Sequence, residues 1–238
     1  MHYDTYARVQ RAAAAALCAL TGPRAAASIL ELGCGTGLYT RQLLAAFPTA
    51  RIQAIDASSG MIAHARRGID TEGRVNFQVA DVGNFPAGSF DLITSNATLQ
   101  WVPELSECLA QVAKALAPAG QLTFSYFGPE TYGELDAAVQ AVCGDTVRAT
   151  AVRFASAESL MQTLAARFPR WALIERRYVE SYPSVRDLLR AIRYTGTRGA
   201  GSAYHWTPHT LARVEEAYRA QSGGIRATCQ LFFVKAEL

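Results

Sequence analysis

Ile29-Leu30-Glu31-Leu32-Gly33-Cys34-Gly35-Thr36-Gly37 is the stretch from which the rest of the chain can be read. An apolar run carries one acid and then three glycines at alternate positions. Leu38-Tyr39-Thr40-Arg41-Gln42-Leu43-Leu44 follows and reads as the first turns of a helix. Strand, glycine turn, helix is the layout of a nucleotide-binding crossover. Glycine suits such a turn because a side chain would hold the backbone away from a ligand, and because the turn often needs positive φ.

The spacing narrows the kind of nucleotide. The dinucleotide fingerprint is Gly-x-Gly-x-x-Gly and sets a pyrophosphate against the helix N-terminus. Here the glycines run Gly-x-Gly-x-Gly, with Glu31 two residues ahead of the first. A carboxylate at that place repels phosphate and suits a cation or an ammonium group. S-adenosylmethionine carries an ammonium and a sulfonium and no phosphate, and the stretch resembles the first motif of the Rossmann-like S-adenosylmethionine methyltransferases. A plain buried turn is the alternative on this stretch alone, because a lone glycine loop is a weak signal. Cys34 reads as a small filler in the loop.

The chain has 238 residues, half of them apolar and 18% charged. That bounds it to one large domain, or one domain with an insertion, with ample core material. No apolar run reaches about 18 residues, so no membrane span is expected. The N-terminus lacks the layout of a signal peptide, and the cytoplasm is the expected location. Five scattered cysteines show no Cys-x-x-Cys pair and no Cys/His ligand spacing, so neither a disulfide framework nor a metal site is expected. The net charge of +3 is unevenly placed: residues 1–150 carry 10 Lys+Arg against 13 Asp+Glu, and residues 151–238 carry 13 against 7. The basic C-terminal part points to an acidic partner or to a merely solvated Arg-rich face. No motif supports nucleic acid.

Taken in order, residues 3–20 read as one helix with Val9, Ala12, Ala13, Ala16, Leu17 and Leu20 on an apolar face. Strands are expected at 28–32, 50–56, 75–79, 90–95 and 121–127, with helices at 38–47, 61–67 and 105–116 between them. Pro118-Ala119-Gly120 is expected to turn the chain into the fifth strand. Beyond residue 130 the pattern loosens into helices at 130–142, 156–168, 185–194 and 207–220, and strands at 171–182 and 225–234. The fold class is α/β: a doubly wound, mostly parallel seven-stranded sheet. A single domain is expected: an N-terminal lid helix (1–20), a cofactor-binding core (28–128), a substrate lid with the sixth strand (129–222) and a last strand (225–237).

Site residues follow the strand ends. Asp56 ends the second strand 19 residues after Gly37, where ribose hydroxyls are held. Ser58 or Ser59 is expected to cap the next helix, and Met61 offers a polarisable neighbour for adenine, with core packing as the alternative. Asn96-Ala97-Thr98-Leu99-Gln100-Trp101 leaves a central strand and is more polar than packing requires.

Several segments together narrow the resemblance. His2-Tyr3-Asp4-Thr5-Tyr6-Ala7-Arg8-Val9-Gln10, the glycine loop, Thr94 to Trp101, Phe124-Ser125-Tyr126-Phe127-Gly128 with Glu134-Leu135, Leu188 to Thr197 and the ending Ala227 to Glu237 are similar to the biotin-pathway malonyl-thioester O-methyltransferases. Members of that family carry further residues ahead of the Tyr-x-x-x-Ala-x-x-Gln stretch and often carry Lys where this chain has Arg193. The resemblance implies S-adenosylmethionine as cofactor, held by Gln10, Glu31, Gly33, Cys34, Gly35, Gly37, Asp56, Ala57, Met61, Asp81, Val82, Asn96 and Gln100, with Asp81 on the adenine amino group. It implies malonyl-acyl carrier protein, or malonyl-coenzyme A, as the substrate partner. Arg193 first, then Tyr126 and Tyr3, are the candidates for the substrate carboxylate. Trp101 and Arg198 are the other substrate candidates. A basic face of Arg176, Arg177, Arg186, Arg190 and Arg198 is expected to steer an acidic carrier. Two rivals stand beside this reading. One is a methyltransferase of another carboxylic acid, or of a phenol or quinone precursor that would use His205 or His209 as base. The other is a cofactor-binding protein without turnover.

Overall fold

The computed structural model describes residues 3–22, 25–69, 71, 73–144, 147–195 and 206–238. In chain order its elements are α1 (Tyr3–Tyr6), α2 (Arg8–Thr21), β1 (Ser28–Leu32), α3 (Leu38–Ala46), β2 (Arg51–Asp56), α4 (Ser59–Gly68), β3 (Val75–Val79) and β4 (Phe90–Asn96). There follow α5 (Leu105–Ala115), β5 (Leu116–Phe127), α6 (Gly133–Cys143), α7 (Ala157–Ala165), β6 (Arg170–Tyr182), α8 (Val185–Tyr194), α9 (Pro208–Ser222) and β7 (Ile225–Glu237).

The central strands are apolar on both faces, and Ile29, Leu30, Leu32, Ile55, Leu92 and Ile93 are fully buried. A strand buried on both faces belongs in a parallel sheet covered by helices. The seven strands lie in the order β3-β2-β1-β4-β5-β7-β6, and the run from β3 to β5 is parallel. Ile29 pairs with Ile52 on one side and with Leu92 on the other. The winding direction reverses between β1 and β4, and the carboxyl ends of strands beside such a reversal are where ligands gather.

The chain forms two compact units. The sheet unit comprises Arg8–Tyr126, Ser156–Glu175 and Phe232–Leu238, and holds all or part of every strand. The helical unit comprises Met1–Ala7, Phe127–Ala155 and Arg176–Leu231. Within it α6 and α9 pack together, α8 meets α9, and α1 meets α8. Hydroxyl caps start several helices: Ser58 on the Met61 N–H, Ser156 on Ser159, Ser184 on Asp187 and Thr207 on Thr210. Pro208 opens α9 and Gly223, at φ 65°, closes it. Among the described residues no helix is long and apolar enough to cross a membrane.

Two local expectations are corrected. The helix expected over 3–20 breaks at Ala7. Tyr6 stacks on Tyr194, ring centroids 5.1 Å apart and 13° from parallel, inside the helical unit. Val9, Ala13 and Leu17 are buried in the sheet unit, so the break falls where the chain leaves one unit for the other. The fifth strand starts at Leu116 rather than Gln121, because Leu116 pairs with Phe90 across a register shift. Pro118-Ala119-Gly120 forms the irregular part, with Ala119 at φ 61°.

Candidate active site

The glycines of the loop meet different neighbours. A side chain on Gly33, φ 75°, would overlap the Thr98 side chain, whose hydroxyl donates to the Gly33 carbonyl at 3.2 Å. That glycine locks the β1 loop to the β4 loop. Gly37 abuts Ile69. Gly35, φ 55°, faces open space, and its N–H donates to Asp56 Oδ2 at 2.9 Å. Gly35 is therefore the point where backbone is open to a ligand. Cys34 is buried, and burial, reinforced by Glu31 and Asp56, pushes its thiol far up, so it stays protonated.

Two acids frame the loop and differ in burial. Glu31 is 1% exposed, and its Oε2 accepts from the Thr40 hydroxyl at 2.6 Å. Burial pushes its carboxyl up to about 8, the Thr40 hydrogen bond pulling it down and Asp56 adding to the rise. Burial thus favours the neutral carboxyl of Glu31, and a cation brought beside it would favour the charged form. Its Oε1 is buried without a partner, which is costly unless a ligand supplies the missing donor. Asp56 is half-buried; besides the Gly35 N–H, its Oδ1 accepts from the Ser58 N–H at 2.8 Å. Ala57 follows it, exposed.

The polar loop after β4 is held from both sides. Asn96 Nδ2 donates to the Gln10 carbonyl at 3.0 Å, and its Oδ1 accepts from the Ser125 hydroxyl at 2.7 Å. Gln100 is buried in a 3₁₀ turn, Leu99–Trp101, with Nε2 donating to the Ala97 carbonyl at 2.7 Å and Oε1 unpartnered. Asp81 Oδ1 accepts from the Gly83 N–H at 2.6 Å, and Val82 is buried. Met61 lies in the first turn of α4, half-buried. All the residues assigned to the cofactor from sequence therefore fall in the sheet unit. Two unpartnered buried oxygens and an open glycine fit a ligand that brings donors, as an ammonium group does.

The substrate candidates are divided. Tyr126, buried, and Trp101, 37% exposed, belong to the sheet unit. Tyr3 on α1 and Arg193, exposed on α8, belong to the helical unit. Arg198 lies outside the described residues, as does His205. In the basic face, Arg177 pairs with Glu130 at 2.6 Å and Arg190 with Asp187 at 3.1 Å. Sequence reasoning missed Thr98, Thr40 and Ser125, because their roles appear only once neighbouring loops are brought together.

Comparison with known proteins adds to this geometry. Residues 29–120 match a family model described as a methyltransferase domain. A malonyl-acyl carrier protein O-methyltransferase of Methylococcus capsulatus is 36% identical over 99% of this chain and 88% of its own length. Malonyl-acyl carrier protein O-methyltransferase 2 of Ilyobacter polytropus is 33% identical over 91% of this chain and 84% of its own. The crystal structure of the Bacillus subtilis protein YcgJ shares the fold, with a TM-score of 0.66 at 15% identity over 95% of this chain and 97% of that one.

Proposed function

The chain belongs to the malonyl-acyl carrier protein O-methyltransferase family, and from that premise we propose that it esterifies the free carboxylate of a malonyl thioester on the route to biotin. It is an S-adenosylmethionine-dependent methyltransferase. The observation that carries the substrate reading is the extent of the likeness. It runs through 99% of the chain rather than stopping with the methyltransferase domain at residue 120.

The chemistry asks little proton transfer of the protein. A carboxylate is ionised at pH 7, so no general base is needed. Bound S-adenosylmethionine supplies a methyl group made electrophilic by its sulfonium. Glu31, Asp56 and the open backbone at Gly35 would hold it, with Met61, Asp81, Asn96 and Gln100 around it. Arg193 is assigned the substrate carboxylate, aided by Tyr3 and Tyr126, because a guanidinium fixes a carboxylate's orientation by paired donors. Residues 129–222 are assigned to cover the substrate and exclude water, so that oxygen, methyl and sulfur stay aligned.

The test is incubation with labelled S-adenosylmethionine and, separately, malonyl-acyl carrier protein, malonyl-coenzyme A and free dicarboxylates. Base-labile label on a malonyl thioester is expected. Label on free dicarboxylates alone would replace the substrate, and binding without transfer would leave only a cofactor-binding protein.

A further inference from the structure

The loop that leaves β4 bends at Ala97, whose φ of 54° lies in the left-handed region. A residue with a side chain takes up that conformation against a steric cost, so its surroundings must hold it there. Ser125, fully buried on β5, stands opposite Asn96 in the parallel register and supplies the hold. The Ala97 N–H donates to the Ser125 carbonyl at 3.1 Å and to the Ser125 hydroxyl at 2.9 Å. The same hydroxyl donates to Asn96 Oδ1 at 2.7 Å, which leaves Asn96 Nδ2 for the Gln10 carbonyl at 3.0 Å. A backbone N–H only donates and an amide oxygen only accepts, so the direction of these bonds is fixed.

The bend decides what the loop presents. The Ala97 carbonyl accepts from Gln100 Nε2 at 2.7 Å, within the 3₁₀ turn that carries Gln100. With its nitrogen so engaged, the Gln100 amide keeps Oε1 as its bare group, buried without a partner on a residue 7% exposed. An acceptor in that state is costly unless something brings it a donor. One hydroxyl on β5 thus governs two amides, that of Asn96 directly and that of Gln100 through the Ala97 backbone. Thr98 ties the same loop to the β1 loop through the Gly33 carbonyl, so the hold from β5 is a separate one.

We propose that Ser125 is a positioning residue for the cofactor: its hydroxyl holds the left-handed bend at Ala97 and so sets the Asn96 and Gln100 amides that receive S-adenosylmethionine. The inference rests on the cofactor assignment of the sheet unit and not on which acid is methylated.

The experiment is calorimetry with S-adenosylhomocysteine on the whole protein, with thermal melting alongside. The variants are Ser125→Ala and Ser125→Cys, each made alone and combined with Ala97→Gly. Removing the hydroxyl leaves Asn96 Oδ1 without its donor and lets the bend relax. Glycine adopts the bend at no steric cost, so it keeps the loop in place when the hydroxyl is gone. Ser125→Ala alone is expected to weaken S-adenosylhomocysteine about tenfold. Added to Ala97→Gly, it is expected to weaken binding only about threefold relative to Ala97→Gly alone, the remainder being the share of Asn96. Ser125→Cys, with a weaker donor and acceptor, is expected to fall between the wild type and Ser125→Ala, and carries the same comparison should Ser125→Ala not fold. A role confined to packing gives equal losses with and without Ala97→Gly. That equality, or no measurable loss in a folded variant, overturns the proposal and leaves the cofactor reading standing. Failure of S-adenosylhomocysteine to bind the wild type overturns the cofactor reading and the proposal with it.

Discussion

In the sheet unit the acids assigned to the cofactor stand at or beside strands: Glu31 within β1, Asp56 at the end of β2, Asp81 two residues past β3, with Asn96 closing β4. In the helical unit Tyr3 sits on a four-residue helix, Arg193 on the last turn of α8, and the walls of the cavity lined by Leu135, Val147, Leu189 and Trp206 come from four separated segments. Strand ends are positioned by a hydrogen-bonded register, so each side chain there inherits the precision of the whole sheet. Helix faces are positioned by side-chain packing alone, which tolerates adjustment. The cofactor half is thereby set by the backbone, and the substrate half by how a handful of side chains fill space.

That contrast predicts which measurements each unit should move. The largest effect is expected at Gly33. Gly33→Ala forces a left-handed residue to carry a side chain into Thr98, and should lower cofactor affinity by about a hundredfold or more while cutting the melting temperature by several degrees. Gly35→Ala meets only open space, so it should weaken S-adenosylhomocysteine with a smaller loss of stability; equal melting shifts in the two variants would erase the distinction between locking loops and admitting ligand. Next comes Arg193→Ala, which should reduce kcat/KM for the malonyl thioester by about a hundredfold and leave S-adenosylhomocysteine affinity nearly intact. A parallel loss of cofactor affinity would show that the two units do not divide the labour in this way.

Glu31 gives a pH signature belonging to the sheet unit alone. Its carboxyl is raised from 4.5 to about 8, so across that window the folded protein keeps a proton that the unfolded chain has lost. On this account the stability of the protein alone falls as pH rises from 4.5 toward 8. Cofactor affinity runs the opposite way. A neighbouring ammonium favours the ionised carboxylate, binding releases a proton, and affinity tightens as pH approaches 8 by at most about tenfold per unit. Calorimetry with S-adenosylhomocysteine in buffers of differing ionisation enthalpy should detect that proton, and Glu31→Gln should abolish it. The smallest effect is expected on the basic face. Arg177 and Arg190 are already paired, so Arg186→Glu should raise the KM for the carrier-bound substrate only about threefold, and less at high salt. Insensitivity at low salt would remove steering from the account.

The same contrast explains what the sequence disclosed. Alternate glycines, a strand-terminal Asp and continuous apolar runs are local patterns, and the sheet they predict is the one found. The electrostatic argument for the loop needed revision, since the charge expected on Glu31 depends on burial, a property of the packed state. Ala7 and Leu116 lie where a local pattern met a non-local demand, from the Tyr6–Tyr194 stack and from the Phe90 pairing. The cavity was illegible because its walls, spread from Tyr132 to Trp206, share no spacing; only packing makes Leu135 and Leu189 neighbours of one space.

Cys34 has a consequence for the enzyme's survival. It lies in the loop assigned to a reagent whose trade is alkylating nucleophiles, and sulfur in its anionic form is among the best acceptors a protein offers. Burial and the two adjacent carboxyls keep that sulfur in its unreactive form. The loop can thus host the methyl donor through many turnovers without becoming its victim.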